Sequence, residues 1–252
     1  MLKRSKDSKV ANLVINGKVM VANSFGLPAG LTCRGMTGIC KGDDKEGVCY
    51  AGRLERLRPN VRRALVHNYE TLLECNDSIN DMQILLQEMI DEFKKDCDKR
   101  SAPKLFRIHW DGDFFSDNYA KAWARVVNDN ADVKFWVYTR DEAAAMIMQG
   151  SRATLYFSAD DENRELAARM ADKGILIAYL GSTFPEAREG YNEVGGGSAV
   201  KCPENNKKIP LISESQSACV ACGVCIYGRN NVLFSVNKNR MPKHKLKVLK
   251  VV

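Results

Sequence analysis

Residues 217–229 read SACVACGVCIYGR, which sets three thiols, Cys219, Cys222 and Cys225, at intervals of two residues. A disulfide uses only two sulfurs and tolerates such short loops poorly. Three thiolates at this interval surround one point, and the usual occupant of such a point is a metal ion or an iron-sulfur cluster. Such a centre needs a fourth ligand, and Cys202 upstream completes a set of four. Structural zinc accepts four thiolates in a tetrahedron. A four-iron cluster also takes four, and a third cysteine at the same interval is commoner in cluster proteins than in zinc ribbons, which use two separated pairs. The expectation is an iron-sulfur centre, with zinc as the alternative.

A second group, Cys33, Cys40 and Cys49, is spaced by six and eight residues among Gly35, Gly38, Gly42 and Gly47, which let the backbone wrap closely around a bulky group. It is one ligand short. Such a site borrows a ligand, from the late cysteines or from His67 or His109, or it keeps an open position at which chemistry can occur. Cys75 and Cys97 continue the apolar faces of helical stretches and are expected to be core thiols.

The run KLFRIHWDGDF adds a polar constellation. Strand alternation puts Phe106, Ile108 and Trp110 on one side and Arg107, His109 and Asp111 on the other. That second side suits a wet cavity ending in a turn, Asp111-Gly112-Asp113, able to hold an amine, a ribose or a metal. Asp111, Gly112, Asp113 and Ser158, all at strand ends, are the candidate cofactor-binding residues; no catalytic residue can be named.

Stepping outward from these residues, the chain of 252 residues is 45% hydrophobic, enough to bury a full core. No apolar run suits a signal peptide or a membrane span, so the cytosol is expected and no membrane partner. In that reducing compartment nine cysteines are not a disulfide framework. The net charge of +7 resides in residues 228–252, which carry seven Lys or Arg and no acid. A second basic knot, Arg53, Arg56, Arg58, Arg62 and Arg63 against Glu55, follows Cys49 directly. Both suit phosphates, so DNA or RNA is the expected macromolecular partner if there is one. Phosphate-loop, nucleophile-elbow and zinc-protease signatures are absent.

The positioning elements follow from patterning. Asn16-Gly17 between two apolar runs predicts an N-terminal hairpin within residues 1–24. Helices are expected from Pro59 and, after an Asn76-Asp77-Ser78 cap, from Ile79. Beyond Pro103, KLFRIHW, KFWVYT, TLYFSA, ILIAYL and SAVKC alternate with helical stretches, which predicts an α/β fold with a parallel sheet, open or as a partial (β/α) barrel. The layout is one domain: the hairpin, a core over residues 25–201, and a cysteine-rich segment with a basic tail over residues 202–252.

The trio ending Cys49-Tyr50-Ala51, the helical stretch, and then FRIHWDGDF, FWVYTR and LYFSADDEN at successive strands resemble the phage-encoded gene product 88 proteins and, more distantly, radical S-adenosylmethionine (radical-SAM) barrels. The second likeness implies a four-iron cluster held by three cysteines in a loop after the first strand, S-adenosylmethionine on its open iron, and an acidic, glycine-containing turn after the second strand for the amino group. Cys33, Cys40 and Cys49 match the first feature and Asp111-Gly112-Asp113 the last. The late quartet resembles an auxiliary cluster, or shares ligands with the trio. An enzyme with one or two four-iron clusters is thus expected, in the host cytoplasm if phage-encoded; the alternative is a nucleic-acid-binding protein with a structural cluster or zinc.

Overall fold

The computed structural model describes residues 1–40 and 48–236; Gly42, Gly47 and the lysine-rich tail from residue 237 lie outside them. Strands β1 (Val14–Ile15) and β2 (Lys18–Val19) form the expected hairpin, with Asn16 and Gly17 at φ 50° and 71°, the left-handed pair that a type I′ turn requires. Helix α1 (Tyr50–Leu57) precedes the expected start at Pro59, where α2 (Pro59–Leu73) begins, and α3 (Ile79–Arg100) is capped by the Ser78 hydroxyl, which accepts from the Asp81 amide.

From there strands and helices alternate: β3 (Leu105–Ile108), α4 (Asp117–Asp129), β4 (Lys134–Thr139), α5 (Glu142–Gln149), β5 (Thr154–Ala159), α6 (Arg164–Asp172), β6 (Leu176–Gly181), α7 (Phe184–Val194), β7 (Ala199–Lys201), α8 (Ala218–Cys222) and β8 (Asn231–Ser235). The six strands form one parallel sheet in the order β3-β4-β5-β6-β8-β7. The central β8 is a strand that sequence patterning missed. Asn231 fixes its start: its amide donates to the Gly196 and Ser198 carbonyls and its oxygen accepts from the Ile177 amide.

Both faces of the sheet are buried, which explains the nearly unbroken apolar runs of its strands. Phe106, Ile108, Phe135, Val137, Phe157, Ile177, Tyr179 and Leu233 pack with residues of α2–α7 in the main core. On the opposite face, Leu105, Trp136, Tyr156, Ala178 and Val232 meet Val10, Ile226 and three of the late cysteines, Cys202, Cys219 and Cys225.

The sheet also continues beyond β3. The Arg107 amide donates to Asn23 O (3.0 Å), Phe25 N to Arg107 O (3.1 Å), Trp110 N to Phe25 O (2.8 Å) and Leu27 N to Asp111 O (3.0 Å). Residues 23–27 therefore run parallel to β3 and deliver the chain into the loop that carries Cys33 and Cys40. No helix among the described residues is long and apolar enough to cross a membrane.

Candidate metal centres and the carboxyl pair

The early cysteine loop is fastened to the C-terminal ends of the strands. Arg34 reaches Asp141 and Asp117 (2.8 Å each) and donates through Nε to the Phe114 carbonyl (3.1 Å). The Thr37 hydroxyl donates to Asp160 Oδ2 (2.7 Å), which also takes Arg140, and the Gly38 amide donates to Glu162 (2.6 Å). Gly35 lies so close to the Arg140 carbonyl that a Cβ there would overlap it. Cys49 caps α1, with Sγ accepting from the Gly52 amide (3.5 Å).

The trio stands among acids. Burial pushes the Cys33 thiol up to about 12, aided by Asp113, Cys49 and Asp111. Cys49 is raised by burial, with Asp111 and Cys40 adding to it while the Gly52 amide opposes. Burial next to carboxylates disfavours the thiolates of Cys33 and Cys49, and a bound cation would favour them.

Asp111 and Asp113 differ sharply. Both Asp113 oxygens are engaged: Oδ1 accepts from the Phe114 amide (2.8 Å) and the Thr139 hydroxyl (2.7 Å), and Oδ2 from the Arg140 amide (2.9 Å). Asp111 Oδ1 accepts from the Gly112 amide (2.8 Å), but its buried Oδ2 receives no hydrogen bond. Beside it lies the Glu55 carboxyl, and burial together with that neighbour raises Asp111 well above the ordinary carboxylate range. Glu55 is raised by its own burial while accepting from the Ala29 amide (2.7 Å). Gly112, at φ 72°, brings the turn against the Leu27 carbonyl and Thr32, where a Cβ would not fit.

The late quartet gathers from separate pieces of chain. Cys202 follows β7, its amide donating to Leu233 O (2.9 Å); Cys219 and Cys222 lie on α8; Cys225 follows the left-handed Gly223. All four line one small recess, walled by Pro203, Ile209, Val224 and Val232. The Cys219 amide donates to Lys9 O (3.0 Å), the Ser217 hydroxyl to Ala11 O (2.9 Å) and the Tyr156 hydroxyl to Asn230 O (2.8 Å), which anchors the segment to the N-terminus and the sheet.

Burial pushes Cys219 up to about 12 and Cys225 up to about 11. Lys9, paired with Glu204 at 2.5 Å, and Arg107, 5.5 Å over the Tyr138 ring, oppose the rise at Cys219. The thiols acting on Cys33 and Cys49 belong to the early group, and those acting on Cys219 and Cys225 to the late one. Among the described residues no three His, Cys, Asp or Glu side chains converge tightly enough to share a single metal ion.

The family model described as Gene product 88 matches residues 1–228. The chain belongs to the Gene product 88 family. It is 49% identical over 247 residues to the Gene 88 protein of Mycobacterium phage L5, covering 94% of this chain and 98% of that protein. The Gene 88 protein of Mycobacterium phage D29 is 48% identical over 248 residues, with the same coverage. No solved structure matches.

The remaining candidates of this Gene product 88 protein are placed as follows. Ser158 shares the cysteine side of β5 with Tyr156, and its carbonyl accepts from Asn163 (3.1 Å). His67 Nε2 meets the Met1 carbonyl (3.0 Å).

His109 corrects the alternation expected of its strand. β3 ends at Ile108, and a φ of 54° turns the imidazole among Phe25, Phe114 and Tyr119 on the helical side. Tyr119 accepts from Trp123 Nε1 (2.8 Å), so its own proton is free for His109 Nε2 (2.9 Å); burial pushes this histidine down to about 3. Cys75 and Cys97 lie in the main core, Cys97 accepting from Asn12 (3.3 Å). Glu55, missed as a site residue, is the only acid within the arginine knot.

Proposed function

We propose that this Gene product 88 protein is an iron-sulfur protein with two four-iron clusters, one held by Cys202, Cys219, Cys222 and Cys225, the other by Cys33, Cys40 and Cys49. The observation that carries the reading is that the four late thiols line one recess. The donor chemistry fits the group. A single zinc at about 2.3 Å from each sulfur would draw the thiolates into tight convergence, whereas in a four-iron cluster each thiolate serves a different iron and the sulfurs stand further apart. Four thiol donors on one recess suit either group, and the third cysteine at the same two-residue interval favours the cluster.

The order of features supports a partial (β/α) barrel related to radical-SAM enzymes. Residues 23–27 run as a parallel strand into the trio's loop, helices follow, and β3 then leads into the Asp111-Gly112-Asp113 turn. An open iron at the trio would supply electrons and a coordination position for a small chelating ligand such as S-adenosylmethionine. The chain's part is to hold that ligand's amine. With both Asp113 oxygens engaged, the residue for this task is Asp111, whose unpaired Oδ2 beside Glu55 can accept from an ammonium.

The test is iron and acid-labile sulfide on protein purified without oxygen, with Cys202→Ser beside the wild type. Brown protein that loses about half its iron in the variant fits the reading. Colourless protein with stoichiometric zinc overturns it.

A further inference from the structure

We propose that the macromolecule brought to the trio is a single-stranded nucleic acid, held through its phosphates by the arginines of α1 and α2. This deepens the reading above by naming a substrate class, and it rests on that reading only for the location of the site.

Six arginines elsewhere in the fold are ion-paired, among them Arg4 with Asp96, Arg34 with Asp141, Arg140 with Asp160 and Arg169 with Glu142. Arg53, Arg58, Arg62 and Arg63 are all exposed, and among the described residues none makes an ion pair with a carboxylate. Such a concentration of one sign opposes the compact state by self-repulsion and raises the local concentration of anions.

The arrangement has two layers. Arg56 and Arg62 lie close enough to Glu55 to act on its carboxyl, and Glu55 adjoins Asp111, which in turn acts on Cys33 and Cys49. Exposed arginines thus stand next to two buried carboxyls, with Glu55 7% and Asp111 2% exposed. The arginines suit a phosphate backbone. A nucleotide brought to the trio must lie outside a base stack, which selects a single strand.

The test uses the full chain, tail included, in its metal-free form, so that failure of the iron-sulfur reading leaves it readable. Binding of a labelled single-stranded oligonucleotide is followed against salt for the wild type, for R53Q/R58Q/R62Q and for a chain ending at residue 236. Loss of three phosphate contacts should reduce the magnitude of the log–log salt slope by about 2, at about 0.7 per contact on a single strand. The oligonucleotide should also slow alkylation of Cys33, Cys40 and Cys49 while leaving Cys222 unprotected, and unchanged alkylation rates without oligonucleotide show that the variant is folded. Tighter binding of a duplex, an unchanged slope in the triple variant with the whole effect in the truncation, or protection confined to the late cysteines overturns the proposal.

Discussion

The carboxyls of Glu55 and Asp111 are buried neighbours, and Asp111 Oδ2 accepts no hydrogen bond from the chain. Two buried acids side by side disfavour each other's ionisation, and a cationic ligand group would relieve that.

The pair sets a pH dependence for the metal-free protein. An acid whose folded pKa lies above its unfolded value binds more protons in the native state. Its contribution is therefore greatest at low pH and is lost as pH rises from about 4 through the raised folded value. Asp111→Asn keeps the acceptor for the Gly112 amide and removes the charge. It should raise the Tm at pH 8 by a few degrees, roughly 1–2 kcal/mol, and do little at pH 4. An equal loss of Tm at both pH values, followed by thermal unfolding, would show that the charge of Asp111 is compensated within the chain.

Asp113 should behave in the opposite way. It accepts three hydrogen bonds that join the turn to the end of β4, so Asp113→Ala leaves three donors unsatisfied. A loss of about 2–4 kcal/mol is expected in urea unfolding. A change below about 1 kcal/mol would mean that water replaces the carboxylate without cost.

Ligand binding at the trio separates the same two residues spectroscopically. In the reduced protein, S-adenosylmethionine should perturb the electron paramagnetic resonance spectrum, Asp111→Asn should weaken that perturbation with iron retained, and Cys49→Ser should abolish it. A spectrum indifferent to S-adenosylmethionine would mean that a fourth protein ligand closes the trio's centre.

Much of this arrangement was legible in the sequence because its determinants are local. Asn16-Gly17 specifies the hairpin, Ser78 caps α3, and the apolar runs of β3–β6 mark a buried parallel sheet. The face of His109 was not legible, because alternation fails where one residue adopts a left-handed conformation. β8 escaped because its short apolar run, Val232 to Phe234, lies between Asn230-Asn231 and a basic tail, and only its neighbours β6 and β7 make it a central strand. Glu55 reads as the lone acid of a basic helix until the turn after β3 brings Asp111 against it.

The two core thiols provide a control. Cys75 and Cys97 are buried among Leu72, Met82 and Phe93, far in sequence from either cysteine group. Replacing either by Ala should cost about 1–2 kcal/mol and leave the iron content unchanged. Iron lost from a folded variant would mean that one of them is a ligand.

The most direct measurement is the iron and sulfide stoichiometry of anaerobically purified protein in which the two groups are emptied separately. The account predicts about eight irons per chain in the wild type, about four in Cys219→Ser/Cys222→Ser and about four in Cys33→Ser/Cys49→Ser, with sulfide in equal amount. Stoichiometric zinc without iron, or one double variant emptying both centres while the fold remains intact by circular dichroism, would contradict two separate cluster sites.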